Sequence, residues 1–230
     1  MLTIAERWAQ VRAEIAHAAR DAGRSEDDVM LLAVSKRHPA ESIREAYDAG
    51  ARHFGENYLQ EALDKQAQLT DLPLHWHFIG PLQSNKTREV AEHFEWVHSV
   101  DRFKLARRLS EQRPEHLPPL NICLQVNVSG ESSKSGVSPT EVEPLAEAVM
   151  ELPHIRLRGL MCIPAPETDV ERQRRPFDML AEQLRMLRHQ HPQAELDTLS
   201  MGMSGDLPAA IAAGSTLVRV GTGIFGPRPA

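Results

Sequence analysis

The 230-residue sequence contains only two cysteines, and no CxxC spacing. Cys123 and Cys162 lie inside apolar, strand-like runs. They read as small buried hydrophobes in a reducing compartment, which excludes a disulfide framework or a cysteine metal site. No apolar run approaches the ~20 residues of a membrane span. The N-terminus is charged throughout and has no apolar h-region, so no signal peptide is visible. The expectation is a soluble, cytoplasmic protein. Positive charge is not in excess either: the formal net charge is −6. That argues against a face built for nucleic-acid phosphates. No linker, low-complexity tract or short repeat is present, and the Pro114 to Pro119 stretch is too short to separate domains. One domain over residues 1–230 is expected, with a substantial core.

What the chain does contain is a regular alternation. Val29-Met30-Leu31-Leu32-Ala33-Val34 is a short aliphatic run that ends on Ser35 and Lys36. Such a run reads as a buried parallel strand. Seven more candidate strands follow, at 52–57, 75–80, 96–100, 120–128, 157–163, 196–199 and 216–220. Helical segments stand between them. Ser138-Pro139-Thr140-Glu141 combines an N-cap, a first-turn proline and a capping-box glutamate. Asp101 is expected to cap the helix that runs to Arg113, and Gly214 to close the one from Ser204. Eight alternations predict the α/β class and a (β/α)8 TIM barrel. The chain ends at Ala230, too soon after Val220 for a full eighth helix. An extra N-terminal helix, opened by Thr3 and Glu6 as a capping box and stopped by Gly23, is expected to fill that place.

In such a barrel the strand exits build the site. They are Lys36, Glu56-Asn57, Gly80, Ser99, Asn127, Met161, Ser200 and Arg219 with Gly221-Thr222. Lys36 is the one nitrogen nucleophile of this set able to form a Schiff base, and desolvation would help it. Two glycine-rich turns follow the last two strands: Ser200-Met201-Gly202-Met203-Ser204-Gly205 and Gly221-Thr222-Gly223-Ile224-Phe225-Gly226. Glycine and hydroxyl turns after strands seven and eight are the usual phosphate site of this fold. A phosphate cradle with an amine nucleophile points to pyridoxal phosphate. Lys134, in a Gly130-to-Gly136 loop, lacks the preceding glycine of a Walker A and offers at most a second anion contact. His75 and His77 share a strand face but have no third ligand at a recognisable spacing.

Longer strings carry a resemblance. Leu32-Ala33-Val34-Ser35-Lys36, Phe54-Gly55-Glu56-Asn57-Tyr58, His77-Phe78-Ile79-Gly80-Pro81-Leu82-Gln83-Ser84-Asn85-Lys86 and Gly159-Leu160-Met161 are four of them. Leu199-Ser200-Met201-Gly202-Met203-Ser204 and Arg219-Val220-Gly221-Thr222-Gly223-Ile224-Phe225-Gly226 complete the set. Together they resemble the pyridoxal-phosphate homeostasis protein family over essentially the whole chain. The family looks like the barrel domain of alanine racemase standing alone, fold type III among pyridoxal-phosphate proteins.

The resemblance implies that Lys36 holds the cofactor and that Arg219 faces the pyridine nitrogen. It places Ser200, Gly221 and Thr222 around the phosphate, Asn57 and Met161 near the ring, and Lys134 in a secondary cofactor contact. His38 departs from relatives that carry a second lysine there. Gly223, often alanine, should only loosen its turn. The implied task is to hold, buffer and supply pyridoxal phosphate to apo-enzymes, as a monomer, with little or no turnover. An arginine at the ring nitrogen weakens the ring as an electron sink. The second base that racemases take from an added domain is not expected here, and Tyr47 and Tyr58 read as packing residues. The rivals are a pyridoxal-phosphate amino-acid racemase using Lys36, and a barrel for an unrelated sugar phosphate.

Overall fold

The computed structural model describes residues 1–130 and 135–230. Eight strands are present: β1 (Met30–Val34), β2 (His53–Glu56), β3 (His75–Phe78), β4 (Trp96–Val100), β5 (Leu120–Gln125), β6 (Ile155–Met161), β7 (Thr198–Ser200) and β8 (Leu217–Val220). They pair in parallel, in sequence order, and close into a barrel. The helices are α1 (Ile4–Asp21), α2 (Ala40–Asp48), α3 (Leu59–Gln68), α4 (Thr87–His93), α5 (Phe103–Gln112), α6 (Val142–Met150), α7 (Val170–Gln190), α8 (Leu207–Ala213) and α9 (Thr222–Phe225). This is the expected (β/α)8 barrel. Among the described residues no helix is long and apolar enough to cross a membrane.

Closure depends on β1 meeting β8. Met30 pairs with Leu217, Leu31 with Val218, Leu32 with Arg219 and Ala33 with Val220. Outside this seam α9 is a single turn. The extra helix α1 packs against α8, α9 and α2. Thr3 caps it by accepting from the Glu6 amide at 3.1 Å. Its apolar stripe of Val11, Ile15, Ala18 and Ala19 is buried in one cluster with Leu207, Ile211, Val220 and Ile224. A helix from one end of the chain thereby occupies the place that the other end leaves open.

Some boundaries differ from the sequence pattern, for physical reasons. Strand β6 begins at Ile155, because Arg156 and Arg158 alternate with apolar residues at the base of the barrel. Arg158 there pairs with Asp197 at 2.7 Å and lies over the Trp96 ring. Ser138 does not cap with its side chain. A 3-10 turn, Pro139–Glu141, leads into α6 instead. Asp101 stands one residue before the N-cap of α5, which is Arg102. Residues 204–206 form a turn before α8, held by the Met203 amide donating to Asp206 at 2.7 Å. Gly214 closes α8 at φ 114° as expected.

The barrel interior is unusual. Aliphatic layers fill most barrels of this kind. Here His77, His98, Ser200 and Arg219 are buried alongside Trp96, Cys123 and Met161. Backbones also approach closely: a Cβ on Gly159 would stand 1.7 Å from the Thr198 carbonyl oxygen. Gly159→Ala is therefore expected to force β6 and β7 apart. The expected loss is roughly 3 kcal/mol, a fall in Tm of about 6–12 °C. Thermal unfolding beside Gly205→Ala, where a Cβ meets nothing within 4 Å, checks this.

Candidate functional site

Lys36 lies two residues beyond β1 in a tight turn, closed by the His38 amide donating to the Ser35 carbonyl at 3.0 Å. Arg37 adopts φ 65°, a left-handed conformation that disfavours residues other than glycine. The turn is held from behind by α3. The Arg37 amide donates to both Glu61 oxygens, at 3.0 and 3.1 Å. Lys65, 4 % exposed, donates to the carbonyls of Ser35 at 2.8 Å and His38 at 3.1 Å. Its ammonium also sits 2.7 Å from Glu56 Oε2. All three donors of that ammonium are thereby used. Ser35 Oγ donates to the same carboxylate oxygen, while Glu56 Oε1 is buried with no hydrogen-bond partner among the described residues.

Lys36 itself is half-buried and makes no hydrogen bond or ion pair among the described residues. Burial lowers its pKa, Arg228 and Arg37 add to that, and Tyr58 opposes it. A lowered amine pKa means more free base, hence a better nucleophile. Tyr58 is 46 % exposed at the N-cap of α3, so it is not the packing residue expected. His38 is buried and stacks on Phe225 at 5.0 Å, which ties the Lys36 turn to the segment after β8.

Arg219 is buried on β8. Nη1 donates to Ser200 Oγ at 2.7 Å and Nη2 to the Cys162 carbonyl at 2.9 Å. No carboxylate lies within ion-pair distance of it among the described residues. A buried guanidinium in that condition has N–H groups left for a ligand acceptor. The Ser200 hydroxyl is also 2.7 Å from His98 Nδ1, so its side chain faces the barrel interior. Gly221 and Thr222 begin the segment after β8. The two glycine turns converge, since a Cβ on Gly223 would lie 3.5 Å from Ser204 Oγ. It would also lie 2.9 Å from Val220 Cγ1, so glycine there permits a close approach. Gly202 at φ 104° allows the first turn to pass over Ala210.

Asn57 lines a recess of about 210 Å³ with Ile79, Gln125 and Ile163, and its buried Oδ1 has no partner among the described residues. Met161 lies opposite Ser200 in the strand register, fully buried and packed with Trp96 and Cys123. Lys134 falls outside the described residues. His75 pairs with Glu95 at 2.7 Å, while His77 engages His53 and His98 at 2.9 Å each, so the two rings do not converge. Burial raises both cysteine thiols to about 12. A larger groove of about 750 Å³ runs along α7, away from Lys36 and Arg219.

Sequence reasoning gave no role to Lys65, Glu61 or His98. The signal for Lys65 was present: it follows Ala62 by three residues, on the buried face of α3. His98 likewise alternates with Val97 and Ser99 toward the interior.

The family model for the alanine racemase N-terminal domain matches residues 9–229. A pyridoxal phosphate homeostasis protein of Pseudomonas aeruginosa is 63 % identical over 228 residues, covering 99 % of this chain and 97 % of that protein. PipY of Synechococcus elongatus, solved with PLP bound, is 44 % identical with a TM-score of 0.86, over 97 % of this chain and 100 % of that one. Alanine racemase of Corynebacterium glutamicum shares the fold, with a TM-score of 0.66 at 17 % identity, over 97 % of this chain and 62 % of that one.

The clamp behind Lys36 has measurable consequences. Lys65→Met strips the donors from Ser35 and His38 and leaves Glu56 unpaired. It is expected to destabilise the fold by about 3–5 kcal/mol in urea unfolding. Burial raises the Glu56 carboxyl from 4.5 to about 7, against the pull of Lys65 and Ser35. The folded state therefore keeps a proton that the unfolded state releases. This stabilisation is full below pH 4.5 and is lost as pH rises through about 7. The buried His53, His77 and His98 act oppositely, costing stability as pH falls below 6.5. The two effects oppose one another between about pH 6.5 and 8, so wild-type stability should change little over that interval, and Glu56→Gln, which removes the falling contribution, should make stability rise with pH there. Denaturant titrations of both proteins at the two pH values read this out.

Proposed function

The chain belongs to the alanine racemase N-terminal domain family and, within it, to the pyridoxal phosphate homeostasis proteins, and we propose that it binds pyridoxal 5'-phosphate as a Schiff base on Lys36 and holds and supplies it, with little or no turnover of its own. The observation that carries this reading is the β1–β8 seam. It runs the strand that leads into Lys36 alongside the strand that carries Arg219 and leads into Gly221 and Thr222, with Gly221 packed near the Val34 carbonyl, and the arginine has no carboxylate partner among the described residues.

The residues present fit that cofactor. When bound, it supplies a reactive aldehyde and a conjugated ring that can take up electrons. Lys36 condenses with the aldehyde and releases one water. Gly221, Thr222 and the turn after Ser200 bind the phosphate through backbone amides and hydroxyls. Arg219 donates to the ring nitrogen and, being permanently charged, opposes its protonation. Asn57, whose Oδ1 has no partner among the described residues, and Met161 would flank the ring. An arginine in that place weakens the ring as an electron sink, which suits holding over turnover. Residues 1–230 then act as one alanine-racemase-N-terminal-like barrel domain. It is a monomer whose partners are pyridoxal phosphate and the apo-enzymes that receive it. The relatives' pyridoxal phosphate homeostasis name and the PLP-bound PipY structure support the binding half of this reading.

One observation favours an enzyme. Tyr58 is exposed near the Lys36 turn, where Arg37 lies 5.8 Å from its ring centroid, and its charge would raise the Lys36 pKa; a tyrosine in that neighbourhood is a candidate for the second base of a racemase. The visible spectrum of the protein with added pyridoxal phosphate, before and after borohydride, tests the cofactor. A band that borohydride abolishes, absent from Lys36→Ala, is expected; a protein that stays colourless sinks the reading. Amino-acid racemisation by wild type but not by Lys36→Ala would replace the carrier with the enzyme.

A further inference from the structure

Three histidines from adjacent strands run through the barrel interior in hydrogen-bond contact. His53 Nδ1 is 2.9 Å from His77 Nε2, and His77 Nδ1 is 2.9 Å from His98 Nε2. The line continues from His98 Nδ1 to Ser200 Oγ at 2.7 Å and ends on Arg219 Nη1, also 2.7 Å from that oxygen. His77 and His98 are fully buried. The outer end is His53, half-buried and stacked on His75 at 4.5 Å.

Counting protons fixes the direction of every bond. Arg219 can only donate, so Ser200 Oγ accepts there. The single hydroxyl hydrogen of Ser200 then needs an acceptor, and His98 Nδ1 is the one within reach among the described residues. That nitrogen must be bare. All three rings are neutral near pH 7: burial and the Arg219 charge press His98 down to about 3, burial and His75 take His53 to about 4, and burial holds His77 well below its ordinary value. His98 therefore carries its proton on Nε2 and donates to His77 Nδ1. His77 in turn donates from Nε2 to His53 Nδ1. The reverse order would turn an N–H of His98 toward Ser200 and leave the hydroxyl hydrogen without a partner.

We propose that His98, acting through Ser200, is a positioning residue for Arg219, and that His77 and His53 lock its tautomer, so that a one-way chain of hydrogen bonds stabilises the buried guanidinium in place of a carboxylate. Each group in the chain turns its acceptor atom toward Arg219 and its O–H or N–H away from it. A carboxylate there would take the guanidinium as a fork and occupy its N–H groups. The chain takes one N–H of Nη1, the Cys162 carbonyl takes one of Nη2, and the remainder stay available to a ligand acceptor. This deepens the pyridoxal phosphate reading, on which the ligand half of the test rests.

The first half of the test needs no ligand. Long-range proton–nitrogen spectra of the 15N-labelled apo-protein near pH 7, assigned with single His→Gln variants, should show His53, His77 and His98 as neutral Nε2–H tautomers. An Nδ1–H tautomer or a charged ring at any of the three overturns the proposal. The second half compares His98→Phe with His98→Gln, whose amide offers one acceptor and one donor. His98→Phe should weaken retention of pyridoxal phosphate in equilibrium dialysis about tenfold or more, and His98→Gln should recover most of it. Wild-type retention in a folded His98→Phe protein overturns the positioning role. If wild type binds no pyridoxal phosphate, the cofactor reading fails while the tautomer spectra still decide the chain. Should His98→Phe not fold, those spectra and the His98→Gln affinity decide it.

Discussion

The hydrogen-bonded seam between β1 and β8 joins segments near opposite ends of the sequence and brings the two halves of the proposed site onto adjacent strands. Leu32 pairs with Arg219 and Ala33 with Val220, so the residues just past each strand end face one another. On one side is a turn that presents an amine; on the other are glycine amides. Neither half is a binding site alone. The seam is protected outside by α1, whose apolar stripe shares a cluster with Val220 and Ile224. Burial of that stripe thus holds closed the joint on which the site depends.

Closing the barrel this way puts charge where such folds usually place aliphatic side chains. Arg219 and the Glu56–Lys65 pair are both buried, and they are handled differently. Glu56 and Lys65 neutralise one another and spend their hydrogen bonds on the turn around Lys36. Among the described residues Arg219 has only neutral partners, Ser200 and the Cys162 carbonyl. Burying a charge without a counter-ion is expensive unless dipoles replace it. The polar interior of His53, His77 and His98 is the structural response to that demand.

The same electrostatics bear on holding against turnover. A left-handed Arg37, clamped by Glu61, fixes the turn so that Lys36 projects from a rigid base. Positive groups around it, Arg37 and Arg228, depress its pKa and favour a phosphate-bearing ligand. In the proposed carrier, a permanently charged Arg219 at the ring nitrogen would favour a neutral ring, and both features would suit capture of an aldehyde better than stabilisation of a carbanion.

Strand and helix order, the closed barrel and the strand-exit residues were legible in sequence, because short continuous aliphatic runs and capped amphipathic segments are local signals. The positions of Lys36, Arg219 and the two glycine turns at the ends of their strands were legible too, since a strand's polar exit is visible in sequence. The reading faltered where local chemistry was overruled: Ser138 stands at the N-cap without a side-chain bond, Arg156 hid a strand start behind a charge, and Tyr58 proved exposed. Lys65, Glu61 and His98 acquired their roles only in three dimensions. Each bonds to partners on other elements of the chain. The sequence by itself determined which residues end each strand. Only the tertiary structure decided which of those ends meet, because a hydrogen bond between distant segments leaves no periodic trace in either one.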